Sequence, residues 1–256
     1  MGTVPQSTAT PRPFFIATSP RKKEKKTMTE AKAYLYVIRH GETDYNRARR
    51  IQGVIDIPLN EIGIEQAGYA AAELSKEHLD VIASSNLQRA VKTADLIWEA
   101  QTQEPKPTRI IEENLHELCF GDFDGHYLDD NSAVAVEFKR IWTLWGEGDM
   151  TAACPNGESP EQVRDRACPA IVKILEDACS KEKGHPPKVV VVAHGRCLKI
   201  VLSSFLSVQP KDINLSNVSL TKLEWYGGNN FKAVYINKSD HIKCDQLPPV
   251  CPYLKK

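Results

Sequence analysis

"YLYVIRHGETDYN", residues 34–46, is the stretch that decides the fold. Its first half is almost continuously apolar, as a strand covered on both faces requires. The run then stops at Arg39, His40, Gly41 and Glu42, so a cation, a titratable imidazole and a glycine stand together at one strand tip. A second segment ends alike: "KVVVVAHG", residues 188–195, is again nearly all apolar and delivers His194 and Gly195. In open α/β sheets chemistry gathers beyond the carboxyl ends of the strands. Two strands of this kind bring both imidazoles to one cleft.

Further strands are expected at "LDVIASS" (79–85), "SLTKLEWY" (219–226) and "FKAVYIN" (231–237). The last two alternate in polarity, and "GGNN" at 227–230 between them reads as a hairpin turn. Helical spacing links Ile64, Ala67, Ala71 and Leu74, then Leu87, Val91, Ala94 and Trp98, then Val163, Ala167, Ala170, Ile174 and Ala178. The third of these helices has a start signal, with Ser159 as N-cap, Pro160 at the first position and Gln162 completing a capping box. "GHPP" at 184–187 is expected to end it. A fourth, less regular helix is expected over 132–146, with Trp142 and Trp145 packing along it rather than forming a substrate wall. Strands alternating with helices predict an α/β fold, a three-layer α/β/α sandwich with a mostly parallel central sheet.

The domain expected on this pattern is residues 34–242, followed by a short tail at 243–256. Residues 1–33 differ in composition: Pro5, Pro11, Pro13 and Pro20 punctuate a Ser/Thr-rich segment that ends in "RKKEKK" at 21–26. Such a segment buries too little apolar surface to offset its ordering entropy, so a disordered tail is the first reading. A targeting segment and a basic interaction arm stay open, and Met28 is an alternative start. The 33 basic and 33 acidic side chains cancel, which argues against wholesale binding to nucleic acid or anionic membrane. No apolar run approaches the roughly 20 residues that span a bilayer. Seven cysteines without any C-x-x-C pair read as free thiols of a reducing compartment, not as a zinc site. The expected location is cytoplasmic, or organellar if the N-terminal segment is a transit peptide. The oligomeric state is not legible.

A further arginine, Arg89, follows the strand at 79–85 in "SSNLQRAVKTA" (84–94). Two guanidiniums and two imidazoles suit a dianionic phosphoryl group, because arginine offers planar paired donors to its oxygens. The glycines beside the histidines are expected to let backbone and substrate approach closely. With these blocks stand "IQGVIDIPLNEIG" (51–63), "LHELCFGDFDG" (115–125), "NGES" (156–159) and "INKSDHI" (236–242). Together they identify the chain as a member of the histidine phosphatase superfamily, with its phosphoglycerate mutase-like fold, over about residues 34–242.

The resemblance implies that His40 is the nucleophile and forms a phosphohistidine. Arg39, Arg89 and a protonated His194 would surround the phosphoryl oxygens, joined by Asn46 as a neutral donor. Glu117 would be the proton donor, a role that asks for a raised pKa. Gln52 and Gly53 are expected at the lip of the cleft, and Gly195 beside the substrate. His116 reads as a packed or solvated histidine, and Lys139 and Arg140 as a solvated face. The scheme needs no metal and no cofactor, and its partner is a small phosphorylated substrate. A phosphatase is the first reading, because the interval from Glu117 to His194 lacks the long insertion of cofactor-dependent mutases. A phosphoglycerate mutase-type transfer is the alternative, and an idle domain that binds phosphorylated ligands comes last. "GDFDG" at 121–125 resembles the nucleophile motif of metal-dependent haloacid dehalogenase-like phosphatases, but it lacks the preceding apolar strand. Arg196, where relatives carry a small or uncharged residue, is expected either to favour substrates with a second anionic group, with Lys199 one turn on, or to point to solvent.

Overall fold

The computed structural model describes residues 30–128, 132–181 and 184–243. The expected tails, with Met28, therefore lie outside the described residues except for 30–33 and Lys243. Six strands form one sheet: β1 (Ala33–Arg39), β2 (Val81–Ser84), β3 (Thr108–Ile111), β4 (Lys188–Ala193), β5 (Leu220–Trp225) and β6 (Phe231–Lys238), in the order β3-β2-β4-β1-β5-β6. The first four in that order run parallel. β5 and β6 close one edge as an antiparallel hairpin through the expected Gly-rich turn. Helices α1 (Asp44–Arg47), α2 (Glu61–Leu74), α3 (Gln88–Glu99), α4 (Ala133–Glu147), α5 (Pro160–Cys179) and α6 (Gly195–Leu206) lie between the strands.

The continuous hydrophobicity of β1 follows from its position in the middle layer. Leu35 and Val37 enter one core with Ile171 and Leu175 of α5 and Leu198 and Val201 of α6. Tyr36 and Ile38 point the other way, into a second core with Ala71 and Leu74 of α2 and Ala90, Ala94 and Ile97 of α3. Val189 and Val191 of β4 join the first core, Val190 and Val192 the second. Each large aliphatic side chain so buried contributes roughly 1.5–3 kcal/mol. The expected sandwich is thus the observed fold.

Local signals account for most helix starts. Ser159 Oγ accepts from the Gln162 backbone while Gln162 Oε1 accepts from the Ser159 N–H at 2.8 Å, the predicted capping box of α5. Several details depart from expectation. α5 stops at Cys179, with Ser180 as its cap, before "GHPP" is reached. Ile64 is 45% exposed, so the inward face of α2 is carried by its alanines and Leu74. The inward face of α3 is Arg89, Ala90, Thr93, Ala94 and Ile97, rotated from the predicted stripe because it delivers two polar side chains to the sheet tips. β3 is a sheet-edge strand with two partly buried and two exposed residues, and its apolar pattern was too weak to read. Five of the seven cysteines are among the described residues, and all five are free thiols. No helix among the described residues is long and apolar enough to cross a membrane.

Candidate active site

Parallel pairing of β1 with β4 sets Arg39 opposite Ala193. The next residue of each strand is a histidine, so His40 and His194 leave adjacent strands at the same level. The His40 N–H donates to Ala193 O at 3.0 Å, and the two rings stand 5.1 Å apart between centroids. Both side chains are buried.

Their tautomers follow from their partners. His40 Nδ1 lies 2.7 Å from Gly41 O. A carbonyl only accepts, so Nδ1 carries the proton and Nε2 carries the lone pair. Burial, followed by the positive charges of Arg89 and Arg39, holds His40 well below the usual histidine range. Arg89 Nε donates to His194 Nδ1 at 3.2 Å, and a guanidinium never accepts. The His194 proton therefore sits on Nε2, facing Ser85 Oγ at 2.8 Å. Burial first, and Arg89 next, keep this ring neutral as well. The expectation of a protonated His194 is corrected: with Nδ1 accepting from Arg89, the ring is neutral and the positive charge belongs to the arginines.

Arg89 is fully buried and also donates to two backbone carbonyls, NH1 to Ile55 O at 2.7 Å and NH2 to Gly53 O at 2.8 Å. Burial lowers its pKa to about 10, so it stays charged at neutral pH. It braces His194 and the 53–55 loop. Gln52 and Gly53, expected at the lip of the cleft, are both buried. Gln52 is 8% exposed and wedged between Thr43 Oγ1 and the Arg89 guanidinium, while Val54 is the exposed residue of that loop. Gly53 has φ +47°, and a Cβ there would collide with the Asp124 carboxylate.

Arg39 donates through NH1 to Leu215 O at 3.0 Å and passes against Gly195, where an added Cβ would sit 3.3 Å from its Nε. Gly41 is small for another reason than substrate approach: its open side faces the Gly63 backbone at the start of α2. Asn46 belongs to the capping box of α1, its Oδ1 accepting from Thr43 N at 3.2 Å.

Glu117 sits at the amino end of α6. Its Oε1 accepts from Cys197 N (2.8 Å) and from Leu118 N (2.8 Å), and its Oε2 accepts from Arg196 N at 3.0 Å. Helix N-termini favour such anions. Arg196 lays its guanidinium over Trp142 at 3.6 Å, so it is stacked and not simply solvated, whereas Trp145 is buried against Phe120 and Phe138. His116 donates from Nδ1 to Glu117 O at 2.8 Å, and Lys139 and Arg140 are exposed. Asp122 of "GDFDG" is exposed, pairs with Asn156 and lies in a 3₁₀ turn (Gly121–Phe123) instead of at a strand end, which leaves no room for the metal-dependent reading.

Several supporting residues went unread. Thr93 Oγ1 accepts from Gly41 N at 3.2 Å and donates to Arg89 O at 2.8 Å. Asn217 Nδ2 donates to His40 O at 2.8 Å. Arg166 pairs with Glu158 at 2.8 Å and donates to the carbonyls of Asn114, His116 and Glu117, which fastens the Glu117 loop to α5. Ser85 and Thr93 had a signal, being polar positions inside apolar runs; Asn217 had none.

A family model described as the histidine phosphatase superfamily, branch 1, matches residues 35–238. The chain belongs to that superfamily. This histidine phosphatase is 27% identical over 212 residues to a Hydrogenobacter thermophilus protein named "Putative phosphoserine phosphatase 2", covering 82% of this chain and 97% of that one. It is 31% identical to a Yersinia pestis protein named "Probable phosphoglycerate mutase GpmB", over 75% of this chain and 84% of that one. Among solved structures, a mycobacterial glucosyl-3-phosphoglycerate phosphatase complexed with VO3 matches with a TM-score of 0.70 and 28% identity, over 81% of this chain and 100% of that chain.

Proposed function

We propose that this histidine phosphatase hydrolyses phosphoric monoesters of small metabolites through a phosphohistidine at His40. The observation that carries the reading is the fixed tautomer of His40, whose Nδ1–H is held by Gly41 O so that Nε2 offers its lone pair beside two guanidiniums. In the first step the Nε2–P bond forms and the ester P–O bond breaks. The proton on Glu117 Oε2 moves to the leaving oxygen. In the second step water attacks phosphorus, Glu117 takes a proton from it, and the P–Nε2 bond breaks to release phosphate and neutral His40. Arg39, Asn46 and His194 stabilise the transferring group, with Arg89 holding His194 in its tautomer. Uncatalysed hydrolysis is slow enough that enzymes accelerate it by up to about 10²¹. General acid catalysis supplies roughly 10²–10⁴, so no single pair of these groups suffices.

The named substrates of the three similar proteins each carry a carboxylate besides the phosphate. Arg196, fastened through its own N–H to Glu117 and stacked on Trp142, is the residue we assign to a second anionic group. Arg196→Ala should raise KM for carboxylated monoesters at least about tenfold, the equivalent of one lost hydrogen bond to a charged group, while leaving an aryl phosphate with no second anionic group unaffected. Equal effects on both would remove this assignment.

The main test is a single-turnover reaction with ³²P-labelled aryl phosphate, quenched in alkali. Alkali-stable, acid-labile label on the wild type and none on His40→Ala is the expected result. Absence of label together with absence of turnover over a panel of esters would leave only a phosphate-binding role. A second reading, transfer to another acceptor, is favoured by the mutase-named relative. Label that moves to added 3-phosphoglycerate faster than to water would decide for it.

A further inference from the structure

We propose that His78, Asp80 and His185 form a binding site for a divalent transition ion of the zinc class, at the end of the sheet opposite the active site. One nitrogen from each histidine and one carboxylate oxygen lie within 4.8 Å of one another. His78 lies in the connection from α2 to β2, Asp80 directly before β2, and His185 shortly before β4. Because β2 and β4 are neighbours, with Val81 opposite Val189, the sheet itself brings the three together.

The site is built at its base and open at its mouth. Asp80 is buried, and its Oδ2 accepts from Lys188 N at 2.7 Å. Its own backbone is pinned on both sides, Asp80 N to Lys188 O at 2.9 Å and Thr108 N to Asp80 O at 3.0 Å. The carboxylate is therefore a fixed ligand. His185 Nδ1 lies 3.1 Å from Pro186 O, so Nδ1 carries the proton and Nε2 is presented as the acceptor. A backbone carbonyl on the second ring nitrogen is the outer-shell arrangement that metal-bound histidines use. The His78 and His185 rings stand edge to face, 5.8 Å between centroids. Both are exposed, so drawing them in to bonds of about 2.0–2.1 Å costs little. Lys188, which lines the same space, directs Nζ to Glu77 at 2.5 Å and not at the ligand atoms. A cavity of about 410 Å³ opens beside the cluster, lined by Tyr34, His78, His185, Pro186 and Lys188.

Two imidazoles and one carboxylate select borderline metals such as zinc, cobalt or nickel over magnesium or calcium, which take all-oxygen shells. Three protein ligands leave a position for water. The ion would clip the α2–β2 connection to the α5–β4 connection. It stands at the amino ends of β2 and β4, about 20 Å along a six-residue strand from the catalytic tips. Its role is thus separate from phosphoryl transfer.

The test uses the full chain stripped by a chelator and titrated with Co²⁺. The expected result is one equivalent bound, with visible d–d absorption and no near-ultraviolet sulfur charge transfer, displaced by Zn²⁺. Zn²⁺ should raise Tm in a concentration-dependent way. His78→Ala and His185→Ala should each weaken the apparent affinity by at least about 100-fold, the upper range for losing an outer-shell partner alone, and abolish the rise in Tm. Both should keep wild-type kcat/KM on an aryl phosphate. Asp80→Asn should weaken binding too, but that carboxylate also holds the β4 backbone, so the two exposed histidines decide. Unchanged affinity in both histidine variants, absence of d–d bands, or a thiolate charge-transfer band would each overturn the proposal.

Discussion

At the scale of single residues, the site runs on charge kept off its histidines. His40 is held neutral by burial and by the arginines. The acidic limb of kcat/KM should therefore fall below the ordinary histidine range, near 6.5. Arg39→Gln removes one of the charges that disfavour the imidazolium, so His40 should take up its proton at higher pH. A rate profile from pH 4 to 8 should show that limb moving upward, and a fixed limb would exclude His40 as the titrating nucleophile. Asp124 makes a second prediction. Burial pushes its carboxyl up to about 6 against the Val54 and Phe120 backbone donors, and its Oδ1 has no hydrogen-bond partner among the described residues. With a folded pKa above the unfolded one, its contribution to stability is fully present below about 4 and is lost as pH rises through about 6. Asp124→Asn should have the higher Tm at pH 7, with the difference closing toward pH 4. In the sequence the histidines and arginines were legible because each ends an apolar strand or opens a helix. Asp124, by contrast, reads as a loop acid. Its proximity to Gly53 comes from folding, and no spacing encodes it.

At the scale of elements, α6 and α5 carry the useful contrasts. Glu117 both completes the amino end of α6 and is assigned the transferable proton, so Glu117→Gln should show two separable losses. Rate should drop by roughly 10²–10⁴. Stability should drop by about 0.3–2 kcal/mol as the anion leaves the helix terminus. A variant that lost stability and kept its rate would leave Glu117 as a cap alone. Ser159→Ala, which removes the capping box of α5, should cost about 1 kcal/mol and lower Tm by roughly 2–4 °C without touching kcat. The box was plain in the sequence because Ser159, Pro160 and Gln162 are contiguous signals. The actual face of α3 was not, because Arg89 and Thr93 point inward, where a hydrophobic pattern assigns apolar residues. Function overrode periodicity at the helix that serves the site.

At the scale of the whole molecule, the middle of the sheet is the most sensitive region. Leu35→Ala, beneath α5 and α6, should cost about 2–5 kcal/mol, whereas Ile111→Ala on the 58% exposed edge should stay within about 0.5 kcal/mol. Urea midpoints of the two variants check this. The parallel layer was legible from "YLYVIR" and "KVVVVA" because burial on both faces leaves near-continuous apolar runs. The strand order was not, since nothing in either run says which neighbour it takes. That order has a consequence for synthesis on the ribosome. β4 lies between β1 and β2 yet leaves the tunnel roughly 150 residues after β1. At about 5–20 residues per second, β1 waits of the order of 10–30 s for its parallel neighbour. Until β4 arrives, β1 and the β2–β3 pair have no shared edge. The nucleophile is made early, but its partner histidine arrives on the strand that joins the two halves of the parallel layer, so catalytic competence and closure of that layer come in the same late step.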